Sequence, residues 1–250
     1  MSTTTPRKQF RWRGLHVPCI APWTAETTLP GQIVRLVGVG GTGIGYADEQ
    51  PHDRRMGILR TRQSLARGRG TPDLGGMHSL RQRQAVTHML CGVCGASTFD
   101  EDFARWGERH LYVARAVQGQ PIAEGERTVM APVCRPCAVE SVTDCPHLRK
   151  GCTAALVSYA QGWGVAGLTL DPRTLEPLPQ PKKGLHMVAN DDPAERWTIA
   201  MQMVTTLHRV TPCRTVRPHP LSLDSRPAAR MVRARPSGGD HPGAGLSPRT

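Results

Sequence analysis

Cys91-Gly92-Val93-Cys94-Gly95 and, 39 residues further on, Cys134-Arg135-Pro136-Cys137 decide how this chain folds. Zinc takes four soft or borderline ligands at the corners of a tetrahedron, and a two-residue gap lets one turn bring both thiolates of a pair to the same ion. The chain supplies that pair twice. Gly92 and Gly95 permit the tight turn and let amide N–H groups approach the sulfurs, offsetting part of their negative charge. The pattern therefore calls for one structural Zn2+ held by Cys91, Cys94, Cys134 and Cys137. It assigns no catalytic residue.

Working outward, Ser79–Leu90 reads as a helix that delivers the chain into the first pair, with Leu80, Val86 and Leu90 near one face and Arg81, Gln82 and Arg83 mostly elsewhere. Between the pairs, 110–117 and 127–133 read as two strands of a hairpin around a turn-rich segment. A helix over Ala138–Thr143 follows the second pair. Knuckle, hairpin, then a ligand pair at a helix start resembles a treble-clef zinc module over about residues 88–150. The fold class expected is α+β, small, irregular and zinc-centred, with disordered termini.

Several segments also resemble a group of uncharacterised actinobacterial proteins. They are Cys19-Ile20-Ala21-Pro22-Trp23, Gly43-Ile44-Gly45-Tyr46 with Asp48-Glu49, Arg81-Gln82-Arg83, and Pro132 through Arg149 with its Cys145-Pro146-His147-Leu148-Arg149 run. This resemblance spans about residues 19–150 and implies no activity.

Upstream, Gln32–Val37 alternates and is rich in β-branched residues, so it reads as a short strand, and Gly57–Thr61 as a second. Downstream, 154–160 and 163–170 suggest a hairpin around Gly162. Asp192-Pro193-Ala194-Glu195 carries the signature of a capped helix start. Trp197, Met201, Val204 and His208 then fall on one helical stripe, which predicts a docking helix ended by Pro212. The expected organisation is a basic disordered segment over 1–18, a β- and Arg-rich segment over 19–87, the zinc module over 88–150, a hairpin and docking helix over 151–210, and a basic disordered tail over 211–250.

Composition supports a small folded centre. The chain has only 3 Phe and 3 Tyr beside 5 Trp, against 26 Gly and 22 Pro, a balance that favours loops over packed layers. The net charge is +12, but Arg7, Lys8, Arg11 and Arg13 and the seven Arg of 211–250 carry most of it. Basic tails raise nonspecific affinity for acidic partners without defining a recognition surface. The one internal basic concentration is Arg54, Arg55, Arg60, Arg62, Arg67, Arg69, Arg81 and Arg83, with Asp73 the sole acid after Asp53.

No apolar run is long enough for a transmembrane helix and the N-terminus lacks a secretory pattern, so a cytoplasmic protein without a membrane partner is expected. In a reducing compartment, eight Cys read first as metal ligands. Cys145, His147 and Cys152 offer a second metal site on spacing alone, against the reading that His147 is a surface residue. Cys19 and Cys213 read as ordinary thiols near flexible ends.

Gly38-Val39-Gly40-Gly41-Thr42-Gly43 matches a dinucleotide-binding fingerprint in form. However, Gly45 and Pro51 interrupt the helix that such a site requires. A nuclease would need a His base in the hairpin and a His or Asn on the following helix. His110 is the only hairpin His and reads as a solvated strand end, while Ala138–Thr143 offers only Glu140. Two binding functions remain ahead of an enzyme. One is a nucleic-acid-associated or regulatory module using Arg54, Arg55, Arg60, Arg62, Arg81 and Arg83. The other is a protein-interaction or scaffold module in which those Arg residues are solvated or paired with acids.

Overall fold

The structure, a computed structural model, describes residues 8–38, 41–116, 119–181 and 184–213. In chain order its elements are β1 (Arg11–Trp12), β2 (Leu15–His16), β3 (Ile33–Gly38), β4 (Gly41–Tyr46), β5 (Arg54–Arg55), β6 (Ile58–Leu59), α1 (Ser79–Thr87), α2 (Glu101–Arg105), β7 (His110–Arg115), β8 (Arg127–Thr128), α3 (Arg135–Asp144), β9 (Cys152–Thr169), β10 (His186–Ala189) and β11 (Thr198–Cys213). Mixed α+β describes it: few helices, three two-stranded hairpins and one five-stranded sheet. No helix among the described residues is long and apolar enough to cross a membrane.

The sheet is organised by a long antiparallel ribbon, β9 against β11, with Thr198 opposite Thr169 and Cys213 opposite Ala154. Along the other edge of β9, β7 pairs with residues 152–157 and β10 with residues 164–167. β8 adds to β11 at Thr205 and Thr206. Both faces of the β7–β9 end are covered. Leu111, Ala154 and Leu156 pack with Trp106 and Ala138 on one side, and Tyr112, Ala155 and Val157 with Ile122 and Leu207 on the other.

This arrangement overturns several expectations. Residues 152–169 form one continuous strand rather than a hairpin around Gly162. The small residues there serve close approach: a Cβ on Gly164 would lie 2.0 Å from the Val188 carbonyl oxygen, and one on Gly167 2.2 Å from that of Ile199. The docking helix is likewise a strand. Asp192 does cap a helix, its side chain accepting from the Ala194 N–H, but only a 3-10 segment, Pro193–Trp197, forms before β11 begins. Pro212 lies within β11, opposite Ala155.

The hairpin expected between the two Cys pairs is also absent, because β7 and β8 join the ribbon on opposite strands, β9 and β11. Part of the segment 1–18, expected to be disordered, is ordered. β1 and β2 form a hairpin, and Val17, fully buried, packs with Ala21, Trp23 and Phe10. Residues 1–7 and 214–250, where most of the expected disorder falls, lie outside the described residues.

Two upstream strands occur close to where they were expected, as β3 and β6. The glycine-rich match at 38–43 falls within an antiparallel hairpin, Gly38 ending β3 opposite Gly41, which begins β4; its residues 39 and 40 lie outside the described ones. A strand follows it, not a helix.

On α1 the buried face differs from the apolar stripe. Arg81 and Gln82 are buried with Ala85 and Val86. The Gln82 amide donates to the carbonyls of Val129 and Met203 and accepts from the Met203 N–H, which pins α1 to β11.

Candidate metal centre

Backbone hydrogen bonds close the first Cys pair into a knuckle. Cys91 N–H donates to Ala96 O at 2.7 Å and Gly95 N–H to Cys91 O at 2.8 Å, with Gly95 at φ +76°, where its lack of a Cβ removes the strain. Two further segments grip the knuckle. Cys19 and Ile20 donate to Val93 and Gly92 carbonyls, and Gly92 donates to Pro132 just ahead of the second pair. Cys134 is the N-cap of α3, and Cys137 sits in its first turn, where the positive end of the helix dipole favours thiolate.

The four sulfurs lie within 4.8 Å of one another, and Cys94 Sγ is 3.8 Å from Cys134 Sγ. A tetrahedron with metal–sulfur bonds of about 2.3 Å has edges of about 3.8 Å, so this spacing fits a divalent ion bound by four thiolates. Electrostatics point the same way. Hydrogen bonds from Cys134, then Cys137 and Cys94, push the Cys91 thiol far down, and Cys94 falls to about 7, chiefly through Cys134. Cys137 is pushed strongly up, through Cys134, Cys91 and Cys94. Crowded thiols therefore resist ionising together unless a cation joins them.

His16 and Glu140 come close to Cys137 and form the other group of potential ligands among the described residues. They are already engaged with each other. His16 Nδ1 is 2.7 Å from Glu140 Oε2, and Arg11 Nη2 is 2.8 Å from Oε1. Beside them a mainly apolar cavity of about 350 Å3 runs between β2, α3 and the segment after it, lined by Leu15, Ile20, Met77, Val133 and Leu148. Cys145, His147 and Cys152 belong to neither ligand group. His147 is exposed.

Two other expectations change. His110 is buried, not solvated: its Nδ1 is 2.8 Å from Thr98 Oγ1, its ring packs against Phe99 and Phe103, and burial lowers its pKa. Cys19 is not near a flexible end but buried beside the knuckle. Cys213 is half-buried at the end of β11, and burial pushes its thiol up.

The six arginines singled out from the sequence are not brought together as one surface. Arg81 is buried against Glu26. Arg62 bonds Asp53 through two nitrogens, at 2.9 and 2.6 Å, reaches Asp48 at 2.9 Å, and stacks over Tyr46. Arg54 is held by Glu49 at 2.6 Å. Arg55, Arg60 and Arg83 have no ion pair among the described residues. The acids that pair with the first three, Glu26, Asp48, Glu49 and Asp53, all precede the basic concentration in sequence, so counting charge within it concealed them.

No protein-family model matches the chain, and comparisons with curated proteins and with solved structures return no match.

Proposed function

We propose that Cys91, Cys94, Cys134 and Cys137 hold one structural zinc ion and that the chain is a protein-interaction or scaffold module stabilised by it. The 3.8 Å sulfur separation within a group of four cysteines carries the metal assignment. A set of four thiolates in tetrahedral arrangement selects zinc or iron and leaves no open position for a reacting water. The knuckle followed by a helix-borne pair supports a treble-clef-like centre, although the intervening hairpin is lacking. Elemental analysis of the purified chain tests the assignment: close to one zinc per chain is expected, and a cooperatively folded protein free of metal would refute it.

The interaction reading is favoured over a nucleic-acid surface by the pairing of Arg54, Arg62 and Arg81 with acids, which removes half of the candidate phosphate contacts. Binding to duplex DNA would then come from nonspecific charge. Arg55→Ala and Arg83→Ala should leave the slope of log affinity against log salt unchanged. A flattening of about 0.9 for each substitution would restore the nucleic-acid reading.

A further inference from the structure

Arg60 is in an unusual position for a permanently charged side chain. It follows β6 directly, is 6% exposed, and its buried Nε has no hydrogen-bond partner. No carboxylate forms an ion pair with it among the described residues. Glu195 acts on it only at longer range, and burial raises that carboxyl, which weakens it as a counter-charge. Leaving a buried cation uncompensated is costly, and folded proteins ordinarily pair such groups.

Two further cations make the imbalance worse. Arg55, exposed on the hairpin of β5 and β6, and Arg83, half-buried on α1, both repel Arg60, and neither side chain has a hydrogen bond or ion pair among the described residues. Burial, then Arg83 and Arg55, push Arg60 down to about 10, and burial followed by Arg55 also lowers Arg83.

The backbones that carry these groups are fixed. Arg60 N–H donates to Asp53 O at 2.7 Å, and Thr61 N–H to Ala200 O on β11 at 3.1 Å. Gln82, next to Arg83, bonds β11 three residues further along, at Met203. Ser79 N–H, one turn before Arg83, donates to Gln63 Oε1 at 3.0 Å. Both neighbours of β11 thus hold their arginines in place.

We propose that Arg55, Arg60 and Arg83 form a binding site for a small phosphomonoester or free phosphate, with Arg60 as its buried anchor and Arg55 nearest solvent. A phosphate dianion matches the local excess of positive charge, and its oxygens suit the planar donor fork of guanidinium. A nucleic-acid phosphodiester fits less well, because it carries one charge and is flanked by sugars that prevent approach to a guanidinium this deeply buried. The site does not depend on the zinc assignment.

Calorimetric titration of the full, metal-loaded chain with inorganic phosphate, phenyl phosphate and dimethyl phosphate tests this. Saturable one-site binding is expected for at least one of the first two, with dimethyl phosphate at least tenfold weaker. A preference for phenyl phosphate identifies an organic phosphomonoester as the ligand, and a preference for inorganic phosphate identifies the free ion. Arg60→Met should abolish binding and raise the melting midpoint of the phosphate-free protein, because it removes the uncompensated charge while keeping the bulk. Arg55→Ala and Arg83→Ala, at more exposed positions, should each weaken binding about tenfold, which keeps the test decisive if Arg60→Met does not fold. Arg105→Ala, on the exposed face of α2, should bind as wild type does. Absence of saturable binding by inorganic and phenyl phosphate, or unchanged affinity in Arg60→Met, Arg55→Ala and Arg83→Ala, would overturn the proposal. Zinc content should be unaffected in every variant, so failure here is distinguishable from failure of the metal assignment.

Discussion

Arg81 and Glu26 meet through two parallel hydrogen bonds of 2.6 Å, Nη1 to Oε1 and Nη2 to Oε2, with the carboxylate wholly buried. The same guanidinium also donates to the carbonyls of Cys19 and Ala21. It thereby ties α1 to the strip of chain that grips the Cys91–Cys94 knuckle. Removing one partner of a buried pair strands the other charge, so Glu26→Gln and Arg81→Ala should each cost about 3–5 kcal/mol in chemical denaturation. A loss near zero for both would mean that the pair does not form in solution.

The same pair gives an acid limb to the stability profile. Burial alone would raise the Glu26 carboxyl, but the hydrogen bond and charge of Arg81, with the amides of Trp23 and Ala66, outweigh it and hold the carboxyl below its ordinary range. A carboxylate depressed in the folded state adds stability above its unfolded value of about 4.3, and that contribution disappears as pH falls through the lower folded value. Melting midpoints measured from pH 6 downward should therefore fall, and Glu26→Gln should flatten the part of that fall lying below about pH 4.3. An identical slope in the variant would assign acid sensitivity elsewhere.

Metal binding in a small module is largely folding free energy. Cys94→Ser and Cys137→Ser should lose zinc and unfold at least the segment around the knuckle and α3, while Cys145→Ser, which removes no ligand, should keep both metal and melting midpoint. Cys19 sits differently from what its sequence position suggests. Cys19 is buried but supplies no ligand, so Cys19→Ser should keep its zinc and cost less stability than Cys94→Ser or Cys137→Ser. Equal melting midpoints for all four variants would show that the division into ligands and bystanders is wrong.

The gathering of Cys91, Cys94, Cys134 and Cys137 was legible because its signal is local. Two pairs at fixed spacing announce a tetrahedral site whatever lies between them. The ribbon was not legible, for two physical reasons. Ala154–Val157 is buried on both faces, so the alternation that marks a half-buried strand is lost. In β11, register shifts between Ala200 and Gln202 and between Val204 and Thr205 break the period of two, and Trp197, at the end of the 3-10 segment, together with Met201, Val204 and His208 of the strand imitates the spacing of a helix. The role of Arg81 was hidden as well, because its partner is 55 residues away.

Gln82 illustrates a contact that no apolar pattern signals. Fully buried, it satisfies a carbonyl on Val129 and both backbone groups of Met203, next to the ladder between β8 and β11. Gln82→Leu keeps approximate bulk but strands those groups, each of which costs about 1–3 kcal/mol when buried unpaired. The expected result is a fall in stability of at least that amount, together with faster amide exchange at Met203. An unchanged exchange rate there would show that α1 does not hold β11.

Gly164 carries the sharpest test of the ribbon. It lies opposite Ala189 on one side and Val204 on the other, and a methyl group placed on it would sit 2.0 Å from the Val188 oxygen and 2.9 Å from the Ala189 Cα. These are backbone atoms, so no side-chain rotation relieves the clash, and β10 must move away from β9 to admit it. Gly164→Ala should therefore release the β9–β10 pairing while leaving β7 on the far end of β9 in place, because β7 pairs only with residues 152–157. Amide exchange distinguishes the two ends: protection should fall at 186–189 and persist at 110–115. Gly162→Ala, at a site where an added Cβ meets nothing within 4 Å, serves as the control and should leave both ends protected. Full protection at 186–189 in Gly164→Ala would mean that β10 does not pack along this part of β9, and the sheet order would have to be redrawn.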